Sequence, residues 1–476
     1  MSDGSFSPAP PSDLLQLSLR EASEAVRARR LSPVDIVEAY LARIEAVDDR
    51  VRSYILVLAD DARSAAREAE AEIAAGRWRG PLHGLPYAVK DNYNTAGVRT
   101  CANSRVMLEH VPTFSATIVN RLAEAGAVLL GKLNTWEYGT SMGPVYPDLP
   151  YAAARNPWNL AHFTGGSSTG AGASVPARTA MFALGSDTGG SVRLPAAGCG
   201  LQGLKPTYGL VSRYGILPNC WAFDTAGPLC WNVWDCAAVM QAIAGFDAMD
   251  PISAGAPQDY LAGIEGGVAG LTIGLISDCD FDGAHPDPAI LGNLAAAADV
   301  LARAGARIVP VSLPAALPRY RAAASVINWA ESFSIHERDF RERGDKMGQA
   351  LRDKMMAGLS VQASDYIAAL RERRLLADAT SGLMADLDLL LTPGAFHVAP
   401  PADDFDRVAA FTGETVMTPF NISGHPAISL CSGFDSGGMP TNIQLAGQWF
   451  DEATLLRAAF AFEKATPWRE RFPTLI

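Results

Sequence analysis

Two short clusters of glycine and serine carry the residues best suited to chemistry. They are Gly165-Gly166-Ser167-Ser168 and Asp187-Thr188-Gly189-Gly190-Ser191. Glycine lets a ligand approach the backbone closely, so the N–H groups and hydroxyls of such turns can converge on one point. Stretches of this composition also serve as flexible linkers or phosphate loops. A linker would not carry the ordered apolar segment Ala177 to Leu184 or the turn-rich stretch Arg193 to Gly209. A Walker-type loop needs lysine after its glycines, and Gly165 to Ser174 has none. Composition alone leaves a catalytic loop and a structural turn both open. Lys90 closes the apolar run Leu85 to Val89. At a strand end it is either the first solvated residue or a buried amine with a lowered pKa. The seven histidines show no metal-ligand spacing. A Ser-His-Asp triad assembles in space, so sequence does not exclude it. Ser191 lacks the final glycine of a GxSxG elbow.

These residues need a scaffold, and the composition allows one. The chain has 476 residues, 49% hydrophobic and 19% charged, which suits a globular protein with a sizeable core. Its formal net charge of −12 argues against a nucleic-acid partner. No apolar run reaches membrane-span length and no secretory signal is visible at the N-terminus, so a soluble cytoplasmic protein is expected. The seven cysteines are scattered and odd in number, which fits core thiols better than disulfides or a zinc site.

Periodicity and punctuation place the elements. Residues 1–12 are Ser/Pro-rich and read as a flexible tail, leaving 13–476 as one domain: a helical part over about 13–76 and an α/β core over about 77–476. Helices are expected over 18–30, 32–47 and 62–75. Ser18 and Glu21 have capping-box spacing, and Ser32 precedes Pro33 at a first helical position. Strands are expected at 54–58, 85–89, 127–130 and 389–392, and helices at 115–125, 235–244, 325–358 and 365–386. The series 271–276, 289–304, 306–311 reads as strand, helix, strand, a crossover onto a parallel sheet. This alternation indicates an α/β class.

The stretch GGSSTGAGASV followed by GSDTGGSVRLPAAGCGLQGLKPTYG resembles the signature of the amidase signature family of hydrolases. GLPYAVKD, ending through Lys90, resembles that family's G-L-P-x-x-V/I-K-D motif, and the resemblance extends over roughly residues 14 to 470. It implies one large mixed β-sheet with helices on both faces and a Ser-Ser-Lys triad. Ser191 would be the nucleophile, Ser167 the bridging serine after a cis Gly166–Ser167 bond, and Lys90 the base. The backbone of Thr188, Gly189, Gly190 and Ser191 would form the oxyanion hole, with Ser168, Asp187 and Arg193 in support. No metal or other cofactor is implied. Thr169 and Ala171 depart from the family's usual glycine and serine without touching this mapping.

The expected substrate pocket comprises Tyr138, Met142, Gly143, Gly165, Gly166, Trp221 and Phe223. Tyr146 and a loop over 144–158 could add aromatic surface. These residues look apolar, and no basic cluster is visible among them. The expected reaction is therefore hydrolysis of an aryl or alkyl amide, or a carbamate or urethane, by a monomer or homodimer with no nucleic-acid or membrane partner. The alternative is the glutaminase subunit of a tRNA-dependent amidotransferase, which shares the signature. Against it, LNTWEYGTSMGPVYPDLPY after Lys132 departs from that subunit's M-D-E-F-A-M-G-S-S pattern. A binding scaffold without activity would lack Lys90, Ser167 or Ser191, and all three are present.

Overall fold

The computed structural model describes residues 14–140, 147–255 and 258–475. Its strands are β1 (Tyr54–Val57), β2 (Pro86–Lys90), β3 (Val128–Leu133), β4 (Phe182–Asp187), β5 (Gln202–Lys205), β6 (Thr225–Cys230), β7 (Thr272–Leu275), β8 (Arg307–Pro310), β9 (Leu389–Thr392), β10 (Ala427–Phe434) and β11 (Pro440–Gly447). They join in one 11-stranded mixed sheet in the order β1-β3-β2-β4-β6-β5-β10-β11-β9-β7-β8. Strands β2, β4 and β9 are buried along their whole length, which is why they read as short continuous apolar runs rather than alternating ones. Helices cover both faces. Leu19, Ile36 and Tyr40 pack with Val89, Phe182 and Leu184 on one side, and Ala171, Val175, Val192 and Leu229 form a cluster on the other.

Three neighbouring strands run in the same direction. β2 pairs in parallel with both β3 and β4, with Val89 opposite Lys132 on one side and Leu184 on the other. Their carboxyl ends therefore lie side by side, the place where open α/β sheets bind ligands. Lys90 ends β2, Asp187 ends β4, and the chain leaves β3 into Asn134 to Trp136.

The anticipated crossover is present: β7 and β8 pair in parallel around the helix Pro288–Arg303. Ser18 and Glu21 form the capping box, and the Ser32 side chain caps Pro33–Val51. Other elements differ from expectation. The stretch expected as helical over 325–358 is two helices, Leu317–Arg343 and Gln349–Ser360. The first begins earlier because Pro318 lies in its first turn, where no N–H is needed. Arg193–Cys199, expected as turns, is a helix whose Pro195 also sits in the first turn. The small segment Thr169–Ser174 is a helix that packs closely, as expected. A Cβ at Gly170 would stand 2.3 Å from the Ser53 carbonyl oxygen, so only glycine fits there.

Just beyond β2, Asp91 is buried and pairs with the Lys132 ammonium at 3.2 Å, tying the end of β2 to β3. Lys132 also donates to the Tyr93 carbonyl and Thr100 Oγ1, at 2.6 and 2.7 Å. Removing one partner of a buried pair leaves the other charge uncompensated. We expect Lys132→Met to cost about 3–5 kcal/mol of stability in urea unfolding; a loss under about 1 kcal/mol would contradict this account.

Candidate active site

The site is built on the lysine at the end of β2. Lys90 is fully buried and its Nζ lies 2.7 Å from Ser167 Oγ and 2.9 Å from Ser186 Oγ. Asn92 Nδ2 also donates to Ser186 Oγ, at 3.1 Å. Among the described residues no carboxylate lies within ion-pair distance of Lys90, in contrast to Lys132. Burial drives the Lys90 pKa down to about 7, against the weaker opposing pull of the Asp224 and Asp187 charges. A neutral amine carries a lone pair that can take a proton, so this lysine can act as a base near neutrality.

The Gly166–Ser167 peptide bond is cis. Ser168 was expected to support Lys90; its hydroxyl instead faces the Ser186 backbone, accepting from N at 3.4 Å and donating to O at 3.3 Å. The side chain that does bond Lys90 is Ser186, on β4. Sequence reading missed it because the contact depends on the parallel register of β2 and β4.

Asp187 and Arg193 form a fully buried pair at 3.0 Å. Arg193 uses all its donors: Asp187 twice, the Met417 carbonyl, Gln444 and Asn421. Burial alone would raise the Asp187 pKa, but the Arg193 guanidinium and Asn421 hold it well below the usual carboxylate range. The carboxylate accepts from the N–H groups of Gly190, Val192 and Arg193. The pair thus shapes the turn that presents Ser191. It also consumes one expected oxyanion donor, because the Gly190 N–H is already bonded to Asp187 at 2.8 Å. No protein acceptor among the described residues takes the N–H of Gly189 or Ser191. Thr188 donates its hydroxyl to Asp224 at 2.6 Å.

Ser191 opens onto a cavity of about 520 Å³, whose wall also includes Trp136, Gly139, Gly166, Thr188, Gly189 and Gly190. Gly139 is the wall over the buried amine. A Cβ there would lie 3.2 Å from Lys90 Nζ and 3.5 Å from Ser167 Oγ.

The expected pocket is only partly present. Phe223 and Gly166 line this cavity. Tyr138 does not; it is buried against His336, with ring centroids 4.4 Å apart. Trp221 is 49% exposed and borders a neighbouring cavity of about 260 Å³. Gly165 is packed against the Leu194 backbone, where a Cβ would clash at 2.8 Å. Met142, Gly143 and Tyr146 lie outside the described residues. The cavity also contains cations that sequence reading did not foresee: Arg321 from Leu317–Arg343 and Lys354 from Gln349–Ser360. Both come from positions more than 100 residues beyond the signature, on helices that carry no local sign of the site. The expected absence of basic residues is therefore corrected.

A family model described as amidase matches residues 35–456. The chain belongs to the amidase family. It is 39% identical to the A subunit of the glutamyl-tRNA(Gln) amidotransferase of Moorella thermoacetica, covering 97% of this chain and 99% of that one. It is 36% identical to the protein of the same name from Geobacter metallireducens, covering 96% and 98%. Among solved structures it resembles the native peptide amidase from Stenotrophomonas maltophilia, with TM-score 0.84, 33% identity, and 96% and 98% coverage. The large mixed sheet with helices on both faces is the architecture of this family. The relatives overturn the expectation of a monomer or homodimer that excludes nucleic acid, since two full-length ones are named as subunits of a tRNA-directed amidotransferase. A chain's net charge bears on its own non-specific binding; it does not decide what an assembly containing it recognises. Among the described residues no helix is long and apolar enough to cross a membrane, and all seven cysteines are buried and unpaired.

The Lys90 environment makes a pH prediction. Burial depresses its pKa, so the amine is protonated and inactive below about pH 7 and neutral above it. Amide hydrolysis should rise through that value and level off on the alkaline side. Lys90→Arg, which stays protonated, should lose about 10²–10⁴-fold in kcat/KM. A flat profile from pH 5.5 to 8.5, or an active Lys90→Arg variant, would count against the base.

Proposed function

We propose that this protein hydrolyses a carbon–nitrogen acyl bond through an acyl-enzyme on Ser191. The observation that carries the reading is the buried Lys90 amine, 2.7 Å from Ser167 and without a carboxylate partner among the described residues, beneath the cavity onto which Ser191 opens. A serine hydroxyl is a weak nucleophile until a neighbour removes its proton. Ser191 Oγ attacks the carbonyl carbon. Its proton passes to Ser167 Oγ, whose own proton passes to Lys90. The N–H groups of Gly189 and Ser191, with Thr188 beside them, hold the developing oxyanion; one such donor is worth about 10²–10³ in rate. Collapse breaks the C–N bond, and the leaving amine takes a proton returned through Ser167. Water then attacks the ester by the same route and frees Ser191. Residues 13–476 act as one catalytic domain, a reading supported by the single sheet that joins strands from both ends of the chain.

For the substrate we favour the amide of glutamine, hydrolysed by this chain as the glutaminase component of a tRNA-dependent amidotransferase. Full-length identity of 36–39% to components of that enzyme supports this. The cationic cavity agrees with it better than with the aryl or alkyl amides expected from Tyr138, Met142 and Trp221. Carbamate or urethane hydrolysis has no support in the relatives named above. A second reading, an amidase acting alone, is favoured by the likeness to the peptide amidase and by the departure of the segment after Lys132 from the amidotransferase pattern.

Purified protein assayed with L-glutamine and with C-terminal peptide amides, alone and with the other subunits and charged tRNA, separates the two. Glutamine turnover stimulated by the assembly supports the amidotransferase reading; turnover of peptide amides alone replaces it. In either case a fluorophosphonate should label Ser191, and Ser191→Ala should lower turnover by at least about 10³-fold. Labelling of Ser167 with Ser191 untouched would overturn the mechanism.

A further inference from the structure

We propose that the second cavity, separate from the one onto which Ser191 opens, is an effector site for a small organic ammonium with an apolar body. Its volume is about 260 Å³, and Asn92 and Ser186 belong to its wall. The proposed hydrolysis makes no use of it.

Ile216, Leu217, Pro218, Trp221, Met249 and Pro251 make much of the wall apolar. Trp221 and Met249 are both exposed, so the cavity meets solvent at these two side chains. An indole face attracts a cation, which favours an ammonium over a neutral head group. The polar groups of the wall point to the same class of ligand. Asn92 is buried, and its Oδ1 meets no hydrogen-bond partner among the described residues. Its Nδ2 is committed to Ser186 Oγ, at 3.1 Å. Asp224 accepts from Thr188 Oγ1 and from the N–H groups of Asn219 and Cys220, but no cation among the described residues lies within ion-pair distance of it. Burial raises the Asp224 pKa, and a cation beside it favours the ionised form. Arg213, the one cation among the described residues of this wall, is taken by Asp250 at 3.4 Å and by the Trp221 carbonyl at 2.6 Å. The wall is left with an unused acceptor and a carboxylate without a counter-charge, and both are costly when buried. An ammonium brings three donors and a positive charge, and so answers both.

The site stands apart from the Ser191 cavity but adjoins the same side chains. Asn219 belongs to both walls. Lys90 Nζ donates to Ser186 Oγ at 2.9 Å, and Asn92 donates to the same oxygen. A ligand held by Asn92 is therefore joined to Lys90 through Asn92 and Ser186 alone.

The test is titration calorimetry on the full-length protein, with phenethylamine as the ammonium and 2-phenylethanol as its neutral counterpart. The amine should bind with a Kd below about 1 mM, and the alcohol at least about tenfold more weakly. Trp221→Ala removes the ring and Met249→Lys sets a like charge at the mouth; each should weaken the amine about tenfold. Both side chains are exposed, so neither substitution opens the core, and an unchanged melting temperature checks this. Ala409→Trp, which crowds the Ser191 cavity, should bind the amine as wild type does. Absence of binding, equal affinity for amine and alcohol, or unchanged affinity in both Trp221→Ala and Met249→Lys overturns the site. Loss of binding in Ala409→Trp puts the amine in the Ser191 cavity and overturns it as well. None of these measurements needs turnover, so each decides the site whether or not fluorophosphonate labels Ser191.

Discussion

The arrangement depends on burying a lysine amine without a counter-ion. In water an ammonium is strongly solvated, and removing that shell favours the neutral form. Lys90 is offered only hydroxyls, from Ser167 and Ser186. Lys132, one strand away, is equally buried but pairs with Asp91. The two show how one residue type takes two roles. A carboxylate partner pulls against burial in favour of the charged form and makes a structural tie, whereas contact with hydroxyls alone lets burial favour the neutral amine.

That cage requires three strand ends to coincide. β2 brings Lys90, β4 brings Ser186 and the turn to Ser191, and β3 leads into Trp136 and Gly139. The parallel register sets these ends side by side, and the Asp187–Arg193 pair then fixes the turn. Arg193 reaches Met417, Asn421 and Gln444, so distant C-terminal elements hold the Ser191 turn in place. The same pair withdraws the Gly190 N–H and leaves those of Gly189 and Ser191 without a protein acceptor among the described residues. One ion pair therefore both supports the loop and selects its free donors.

The rest of the cavity has a different origin. Its cations come from Leu317–Arg343 and Gln349–Ser360, which are not part of the signature-bearing strands. Lys90 and the turn to Ser191 are held by the sheet, and the basic side chains of the cavity by these two helices.

What the sequence determined by itself is the local part. The capped helices at Ser18 and Ser32, the buried apolar strands, the parallel crossover at 271–311 and the resemblance that marked Lys90, Ser167 and Ser191 were all legible. Each rests on spacing, punctuation or a contiguous motif. Tertiary structure decided the rest. Ser186 replaced Ser168 at the lysine because strand register, not sequence proximity, governs that contact. Tyr138 and Trp221 left the pocket because an aromatic residue near a motif can pack into the core or face another cavity. Lys354 and Arg321 entered it from helices whose local sequence reads as ordinary covering surface. A side chain's conformational propensity is written within a few residues, but its electrostatic surroundings are assembled from segments hundreds of residues apart, and the substrate meets those surroundings.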